Sequence, residues 1–86
     1  GDLQGAIEVL ERLVESNSNS AKLLATLANT YSEIGRNESA LGYFHKAVQI
    51  EPQWEDASLG LFHCLWSLKK KEEALDEAKR FTAISS

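Results

Sequence analysis

The sequence lacks several features that would indicate particular classes of protein. It contains one cysteine, Cys64, which cannot form an intrachain disulfide, and no CxxC or Cys/His spacing indicates a structural zinc site. No run reaches the ~18 apolar residues of a membrane-spanning helix, and the first residues lack the basic-then-apolar order of a signal peptide. The sequence therefore predicts no metal, no membrane partner and a cytoplasmic location.

Basic charge is also scarce, since nine Lys and Arg residues stand against thirteen Asp and Glu, for a formal net charge of −4. Domains that bind nucleic acid usually carry a basic excess, so we expect no nucleic-acid partner. The 86 residues can form one small domain, because domains usually have ~100 to 150 residues. With 43% hydrophobic residues and only one proline, the chain is too apolar for disorder.

Apolar residues recur at helical spacing along the chain, and no segment shows the strict alternation of a strand. The pattern predicts an all-α fold of five helices, at about residues 2–16, 21–34, 38–50, 54–68 and 71–84. Ser20 and Asn37 are expected to cap the second and third helices, because short polar side chains accept hydrogen bonds from helix N–H groups. Gly35 fits the left-handed turn after a helix, and Pro52 stops the third helix.

Four of the five helices, the first, second, third and fifth, have an apolar stripe that we expect to be buried. The charged residues Glu8, Glu11, Arg12 and Glu15 of the first helix, and Glu72, Glu73, Asp76 and Glu77 of the fifth, are expected on solvated faces. Cys64 lies among apolar residues and is expected to be a buried, inert thiol. The predicted stripes are Leu3, Ala6, Ile7, Leu10, Leu13 and Val14; Leu23, Leu24, Leu27, Ala28, Tyr31 and Ile34; Ala40, Leu41, Phe44, Ala47, Val48 and Ile50; and Ala74, Leu75, Ala78 and Phe81.

The sequence repeats itself with a period of 34 residues. Gly1, Gly35 and Lys69 each stand at a turn before a helix and are separated by that period. The same shift aligns Leu27 with Leu61, and it aligns three pairs of a small and a branched residue: Ala6-Ile7, Ala40-Leu41 and Ala74-Leu75. A small residue followed by a branched one suits a position where two helices approach closely and then interlock.

These positions resemble the tetratricopeptide repeat, whose pattern has a large apolar residue, leucine, a small residue, tyrosine, alanine, an aromatic and proline at set spacings. The resemblance implies antiparallel helix pairs stacked as a right-handed superhelix. It divides the chain into the second half of a unit (1–20), a complete unit (21–54) and a complete or nearly complete unit (55–86). In the last unit Phe62 and Lys69 depart from the preferred small residue and glycine. The matching positions of the middle unit are Leu24, Leu27, Ala28, Tyr31, Ala40, Phe44 and Pro52.

In this family the first helix of each pair lines a concave groove, so the resemblance implies a non-catalytic module that binds a protein or peptide there. On the second helix the groove face has Lys22, Ala25, Asn29 and Glu33, and on the fourth it has His63, with Trp66 at the edge. Asn29 offers a donor and an acceptor to a peptide backbone. Asn29 and His63 could equally be solvated surface residues, and Trp66 could instead pack against the end of the array. The candidate peptide-binding residues are Lys22, Asn29, Glu33, His63 and Trp66.

No phosphate-binding loop, metal-ligand cluster or nucleophile arrangement is present, so we expect no enzyme activity and no cofactor. Some members of the family clamp the C-terminal carboxylate of a peptide with Lys and Asn side chains. Here the fourth helix has Asp56 and Gly60 at the corresponding face, and an acid repels a carboxylate, so no clamp is predicted. An alternative function is structural, as a spacer or a homo-oligomer formed through uncapped terminal helices. In that alternative, the stripe of Leu3, Ile7, Leu10 and Val14 faces a missing helix.

Overall fold

Five helices make up the fold of residues 2–85, which are the residues described by the computed structural model. The expected turn at Gly1 and residue Ser86 of the last predicted unit lie outside the described residues. No strand occurs between residues 2 and 85, so the all-α prediction is confirmed. The helices are α1 (Leu3–Ser16), α2 (Ala21–Glu33), α3 (Asn37–Ile50), α4 (Glu55–Ser67) and α5 (Lys71–Ser85).

The helix N-termini confirm one predicted cap and correct another. The Ser20 hydroxyl accepts a hydrogen bond from the Leu23 N–H at 3.2 Å, as expected of an N-cap. The prediction that Asn37 caps α3 is wrong, because Arg36 precedes that helix and makes no side-chain cap. The Asn37 side chain instead accepts a hydrogen bond from the Ser32 hydroxyl at 3.1 Å, which ties the end of α2 to the start of α3.

The turns after α2 and α4 are equivalent in backbone geometry. Gly35 and Lys69, one period apart, both have a positive φ, of 82° and 64°. The N–H groups of Gly35 and Lys69 each donate a hydrogen bond to the carbonyl three residues earlier, at 3.0 Å in both turns. The N–H of the residue that follows each of them donates to the carbonyl five residues before its own position, at 2.9 Å after α2 and 2.8 Å after α4. This is the Schellman arrangement, which satisfies carbonyls at a helix end. The 34-residue period therefore extends to individual hydrogen bonds.

The helices pack as a stack of antiparallel pairs. α2 packs most extensively against α3, α4 packs against α5, and the second pair rests on the first through contacts of α4 with both α3 and α2. α1 packs against α2. The buried residues of α2 to α5 form one continuous cluster, made of Ala21, Leu24, Ala25, Ala28, Ala40, Phe44, Ala47, Val48, Ala57, Leu61, Cys64, Leu65 and Ala74.

The two pairs pack closely at Phe44 and Gly60. The Phe44 ring is only 2% exposed, and a Cβ placed on Gly60 would lie 2.3 Å from its Cε1 atom. Carbon atoms in contact are ~3.5 to 4.0 Å apart, so no side chain fits there. α4 can therefore approach α3 at this distance only because position 60 has no side chain.

Part of the predicted core is exposed, because the terminal helices have fewer neighbours than α3. Within the described residues α5 packs against α4 alone among the helices, and Leu75 is 49% exposed. Likewise α1 packs only against α2, which leaves Leu3 and Leu13 exposed, and Ile50 is exposed at the last residue of α3. The expectation that Ile7 faces a missing helix is also wrong, since Ile7 is 1% exposed.

Two glutamates that were expected on solvated faces take part in contacts between helices. Glu77 is buried and accepts hydrogen bonds from the Ser58 hydroxyl at 2.7 Å and from Arg80 Nε at 2.8 Å. Arg80 also donates to the carbonyl of Pro52 at 3.1 Å, which links α5 to the loop before α4. Burial raises the pKa of Glu77, but the hydrogen bonds from Arg80 and Ser58 outweigh it and hold the pKa below its ordinary value.

Glu11 makes the corresponding contact between α1 and α2. It is partly buried, and it accepts a hydrogen bond from the Tyr31 hydroxyl at 2.5 Å. This hydrogen bond, together with burial and the charge of Glu11, raises the pKa of Tyr31 to about 12. The Tyr31 ring stacks on Tyr43 of α3, with ring centroids 5.8 Å apart. Tyr31 thus joins α1, α2 and α3.

A pair of glycine substitutions tests the close packing of α4 on α3. Gly60→Ala should lower the free energy of unfolding by about 1 kcal/mol, because overpacking costs ~1–3 kcal/mol and the better helix propensity of alanine offsets only part of it. Gly42→Ala is the matched control, since nothing lies within 4 Å of a Cβ at this position of α3, and it should raise stability by roughly 0.5–1 kcal/mol. Urea denaturation of the three proteins gives both values. If Gly60→Ala raised the free energy of unfolding as Gly42→Ala does, the packing described would be contradicted.

Acid denaturation tests the buried Glu77. At neutral pH, Glu77→Gln should lower the free energy of unfolding by about 1–3 kcal/mol, because it weakens hydrogen bonds to a buried charge. A carboxylate with a lowered pKa stabilises the fold above its unfolded pKa and loses that contribution as the pH falls through the folded value. The difference between the two proteins should therefore shrink as the pH falls below 4.5, the ordinary pKa of the group.

The exposed Glu73, one turn earlier on α5, provides the control for this series. Glu73→Gln should change stability by no more than roughly 0.5 kcal/mol. Urea midpoints measured from neutral pH down to about pH 3 would reveal the trend. A Glu77→Gln deficit that stays constant over this range would show that folding does not lower the pKa of Glu77.

Candidate functional site

The predicted groove residues of α2 lie on its exposed face. Lys22, Asn29 and Glu33 are all exposed, and their side chains make no hydrogen bond or ion pair with any residue between 2 and 85. Their polar groups are therefore available to a partner. The predicted placement of Ala25 in the groove is wrong, because Ala25 is 5% exposed and belongs to the core. α2 packs against three helices, including α4, and this leaves position 25 almost no contact with solvent.

The α4 side of the groove has an aromatic cluster. His63 and Trp66 are exposed, and the Phe62 ring contacts both. It meets the His63 ring edge-on, with the ring centroids 5.8 Å apart. It stacks on the Trp66 ring, with the centroids 5.7 Å apart and an angle of 19° between the planes. Lys71 Nζ lies 5.3 Å from the centre of the Trp66 ring, within the range of a cation–π contact. Trp66 is 45% exposed although it is held by Phe62 and Lys71. It therefore presents apolar surface beside Phe62 and Lys71.

Sequence reasoning placed Trp66 at the groove edge but missed the residues that hold it. Phe62 and Trp66 are four residues apart, a spacing at which side chains on a helix meet. This spacing in the sequence could have predicted that the Phe62 and Trp66 rings stack. Lys71 stands one period after Asn37, and Trp66 one period after Ser32. The hydrogen bond between Ser32 and Asn37 is thus replaced in the next pair by the contact of Lys71 with Trp66.

The described residues offer little for chemistry at this surface. Between residues 2 and 85, no group of three or more His, Cys, Asp or Glu residues could hold a metal ion. Cys64 is 1% exposed, and burial raises the pKa of its thiol, with the hydrogen bond to Ser32 offsetting part of that effect. The thiolate, which is the nucleophilic form, is therefore disfavoured. In the same part of the chain, none of the helices has both the length and the apolar character needed to cross a membrane.

Comparison with known proteins decides the family. Residues 21–53, which include α2 and α3, match the family model of the tetratricopeptide repeat. The chain belongs to the tetratricopeptide repeat family. The resemblance predicted from the sequence is confirmed, and the stacked helix pairs described above are the fold of this family. The fold is generally one of non-catalytic interaction modules.

Two curated relatives are identical to this tetratricopeptide repeat chain at about a third of the aligned positions. The Arabidopsis thaliana protein called "Protein CTR9 homolog" is 33% identical over 67 residues, which are 78% of this chain and 6% of that protein. The "Small glutamine-rich tetratricopeptide repeat-containing protein 2" of Mycosarcoma maydis is 32% identical over 75 residues, 87% of this chain and 21% of that protein. The chain thus spans less than a quarter of the length of either relative.

Solved structures of tetratricopeptide repeat proteins have the same fold. A crystal structure of MamA protein superposes with a TM-score of 0.89 at 26% identity, covering 99% of this chain and 46% of that one. The second tetratricopeptide repeat domain of Spaghetti (RPAP3), bound to the HSP90 peptide SRMEEVD, superposes with a TM-score of 0.87 at 23% identity. That likeness covers 96% of this chain and 77% of the other, and at this identity it shows the fold alone.

Proposed function

We propose that this chain is a non-catalytic module that binds an extended peptide segment of a protein partner in the concave groove formed by α2 and α4. The observation that carries the proposal is the exposure of all five groove residues on the first helices of two stacked pairs. In this proposal residues 21–54 and 55–86 form two units of the array, and residues 1–20 form the second half of a preceding unit. The groove residues are Lys22, Asn29, Glu33, His63 and Trp66.

The groove side chains suit a peptide of mixed polarity. The Asn29 amide can both donate to and accept from a peptide backbone, which satisfies polar groups that lose water on binding. Trp66, held by Phe62 and Lys71, offers an apolar surface to an aliphatic or aromatic side chain. A ring that already contacts its neighbours loses less conformational entropy on binding than an unpacked one.

The charges of the groove disfavour a free C-terminal carboxylate. Lys22 lies on α2, but α4 begins with the exposed acids Glu55 and Asp56, and position 60 is a glycine that contacts Phe44. A carboxylate in this groove would meet like charge from α4. The RPAP3 domain was solved with an acidic peptide. Because that domain is only 23% identical to this chain, we do not assign its ligand to this groove. We therefore propose that the bound segment is internal to the partner chain.

Peptides selected from a random displayed library, and labelled for fluorescence anisotropy, test the groove. The double variant Asn29→Ala and His63→Ala should weaken binding of a selected peptide by at least ~5-fold for each hydrogen bond lost, at about 1 kcal/mol per bond. The matched control is His45→Ala with Gln49→Ala, which removes an imidazole and an amide from the exposed face of α3. This control should leave the dissociation constant unchanged.

The same assay tests whether the groove binds the C-terminus of a peptide or an internal segment. Amidation of the C-terminus of a selected peptide should leave its affinity within about two-fold, because no carboxylate clamp is formed. The peptide SRMEEVD should bind no more tightly with a free carboxylate than with an amidated one. Equal effects of the groove and control variants would refute the groove, and affinity lost on amidation would refute the internal segment.

A second candidate function is self-association through α1. Val9 and Leu13 are 56% and 42% exposed on this helix, which among the helices of residues 2–85 packs only against α2. Exposed apolar side chains on a helix with one packing neighbour favour association. Light scattering over a range of concentrations separates the two candidates. A chain that stays monomeric at high micromolar concentration would exclude self-association without affecting the groove.

A further inference from the structure

An open cavity of about 330 Å³ lies between α3 and α5, the second helices of the two pairs. We call it the second-helix cavity. Within residues 2–85, α3 and α5 do not pack directly against each other, and α4 lies between them, so the buried Leu61 and Leu65 form the floor. None of the five groove residues lines this cavity. Its walls are His45 of α3 and Glu73, Asp76, Glu77 and Arg80 of α5.

Two tyrosine rings lie at the equivalent place in the preceding unit. Tyr31 and Tyr43 stand one period before Leu65 and Glu77. Their rings stack with the centroids 5.8 Å apart, and the Tyr31 hydroxyl bonds a side chain of α1, so the pair spans the gap from α1 to α3. Neither Leu65 nor Glu77 has a ring. The second-helix cavity therefore corresponds to space that planar side chains fill one unit earlier.

Stacking of a further helix pair does not cover this side of the array. The tyrosine pair is followed in the chain by α4 and α5, and both rings nevertheless remain partly exposed. The neighbouring positions on α3, Ser39, Gly42 and Lys46, are exposed as well. The equivalent surface thus faces solvent where the array continues past it. The second-helix cavity would stay open in the same way whether or not more pairs follow.

The cavity has negative charge at its mouth. Glu73 and Asp76 stand where the preceding unit has uncharged residues. Both acids are exposed, and neither forms a hydrogen bond or an ion pair with a residue that the structure describes. Arg80 is paired with the buried Glu77, so the two exposed carboxylates are left without a compensating charge. An apolar floor below two free carboxylates favours an occupant with an aliphatic stem and a cationic head.

We propose that the second-helix cavity binds an arginine side chain of a separate protein. The aliphatic stem lies on Leu61 and Leu65, and the guanidinium reaches the carboxylates of Glu73 and Asp76. A guanidinium is planar, as are the rings that fill the equivalent space one unit earlier, and it donates paired hydrogen bonds to carboxylates. This site is separate from the peptide groove and does not depend on it.

Short peptides titrated into the isotopically labelled chain test the charge and shape of the occupant. The probe is the pentapeptide GGRGG with acetylated and amidated ends, raised into the millimolar range. It should cause saturable shifts of the methyl signals of Leu61 and Leu65 and of the ring signals of His45. The same peptide with citrulline, which has the shape of arginine without its charge, should bind at least about five-fold more weakly. The lysine peptide should bind at least about three-fold more weakly, because its head is compact.

Absence of saturable shifts at these three residues would overturn the proposal. Equal affinities for the arginine and citrulline peptides would also overturn it, since charge would then play no part. Equal affinities for the arginine and lysine peptides would overturn the assignment to arginine.

A variant with the tyrosine pair of the preceding unit tests the cavity itself. Leu65→Tyr with Glu77→Tyr places both rings in the second-helix cavity and should abolish the saturable shifts caused by GGRGG. Saturable binding that survives in the folded variant would overturn the proposal. If this variant fails to fold, substitutions of the exposed acids decide the matter.

Glu73→Gln with Asp76→Asn removes both free carboxylates and should weaken binding of GGRGG at least about five-fold. The matched control is Glu8→Gln with Glu38→Gln, which changes the net charge equally at exposed positions of α1 and α3 that do not line the cavity. This control should leave the dissociation constant within about two-fold, because distant exposed charges are screened. Equal losses in the two variants would overturn the proposal.

Two further measurements separate this site from other surfaces. Asn29→Ala with His63→Ala should leave the affinity for GGRGG unchanged, so failure of the groove and failure of the second-helix cavity are distinguishable. Light scattering tests whether the arginine comes from a second copy of the chain. If the chain dimerises and Glu73→Gln with Asp76→Asn abolishes the dimer, the occupant belongs to another copy, and the proposal of a separate protein is overturned.

Discussion

The structure depends on the packing of one helix pair against the next. A pair of amphipathic helices cannot bury both of its apolar sides by itself, so α4 must rest on α2 and α3. The position of that contact is set by Phe44, whose ring fits against the backbone of α4 only because residue 60 is glycine. This contact holds α4 close to α3, and the proposed groove between α2 and α4 depends on that placement.

The proposed groove is a consequence of this stacking. α2 and α4 approach closely enough to bury Ala25. The side chains that remain exposed on these two helices include the polar or aromatic Asn29, His63 and Trp66 and the apolar Leu59. The last pair stacks with different chemistry, because the buried Glu77 contacts Ser58 and Arg80 where the middle unit has Leu24, Tyr43 and Lys46 one period earlier. A hydrogen-bonded charge thus joins α4 to α5.

The sequence predicted what depends on local interactions and on the period. The helix bounds, the cap at Ser20 and the turn at Gly35 follow from residues close together in the chain, and the period predicted that Lys69 would occupy the equivalent turn. The exposure of Leu75 and the burial of Glu77 could not be predicted in that way, because each depends on which helices lie beside α5. Serine at position 58, where the middle unit has leucine, was a signal that a polar partner is buried nearby.

Chemical-shift mapping of the isotopically labelled chain tests the groove most directly, since it reports every surface at once. The chain is titrated with a peptide selected from a random library, and the amide signals are followed. The account predicts that the largest shifts lie along the exposed faces of α2 and α4, around Asn29 and His63. Shifts confined to α1, or to the exposed face of α3 around His45 and Gln49, would contradict it.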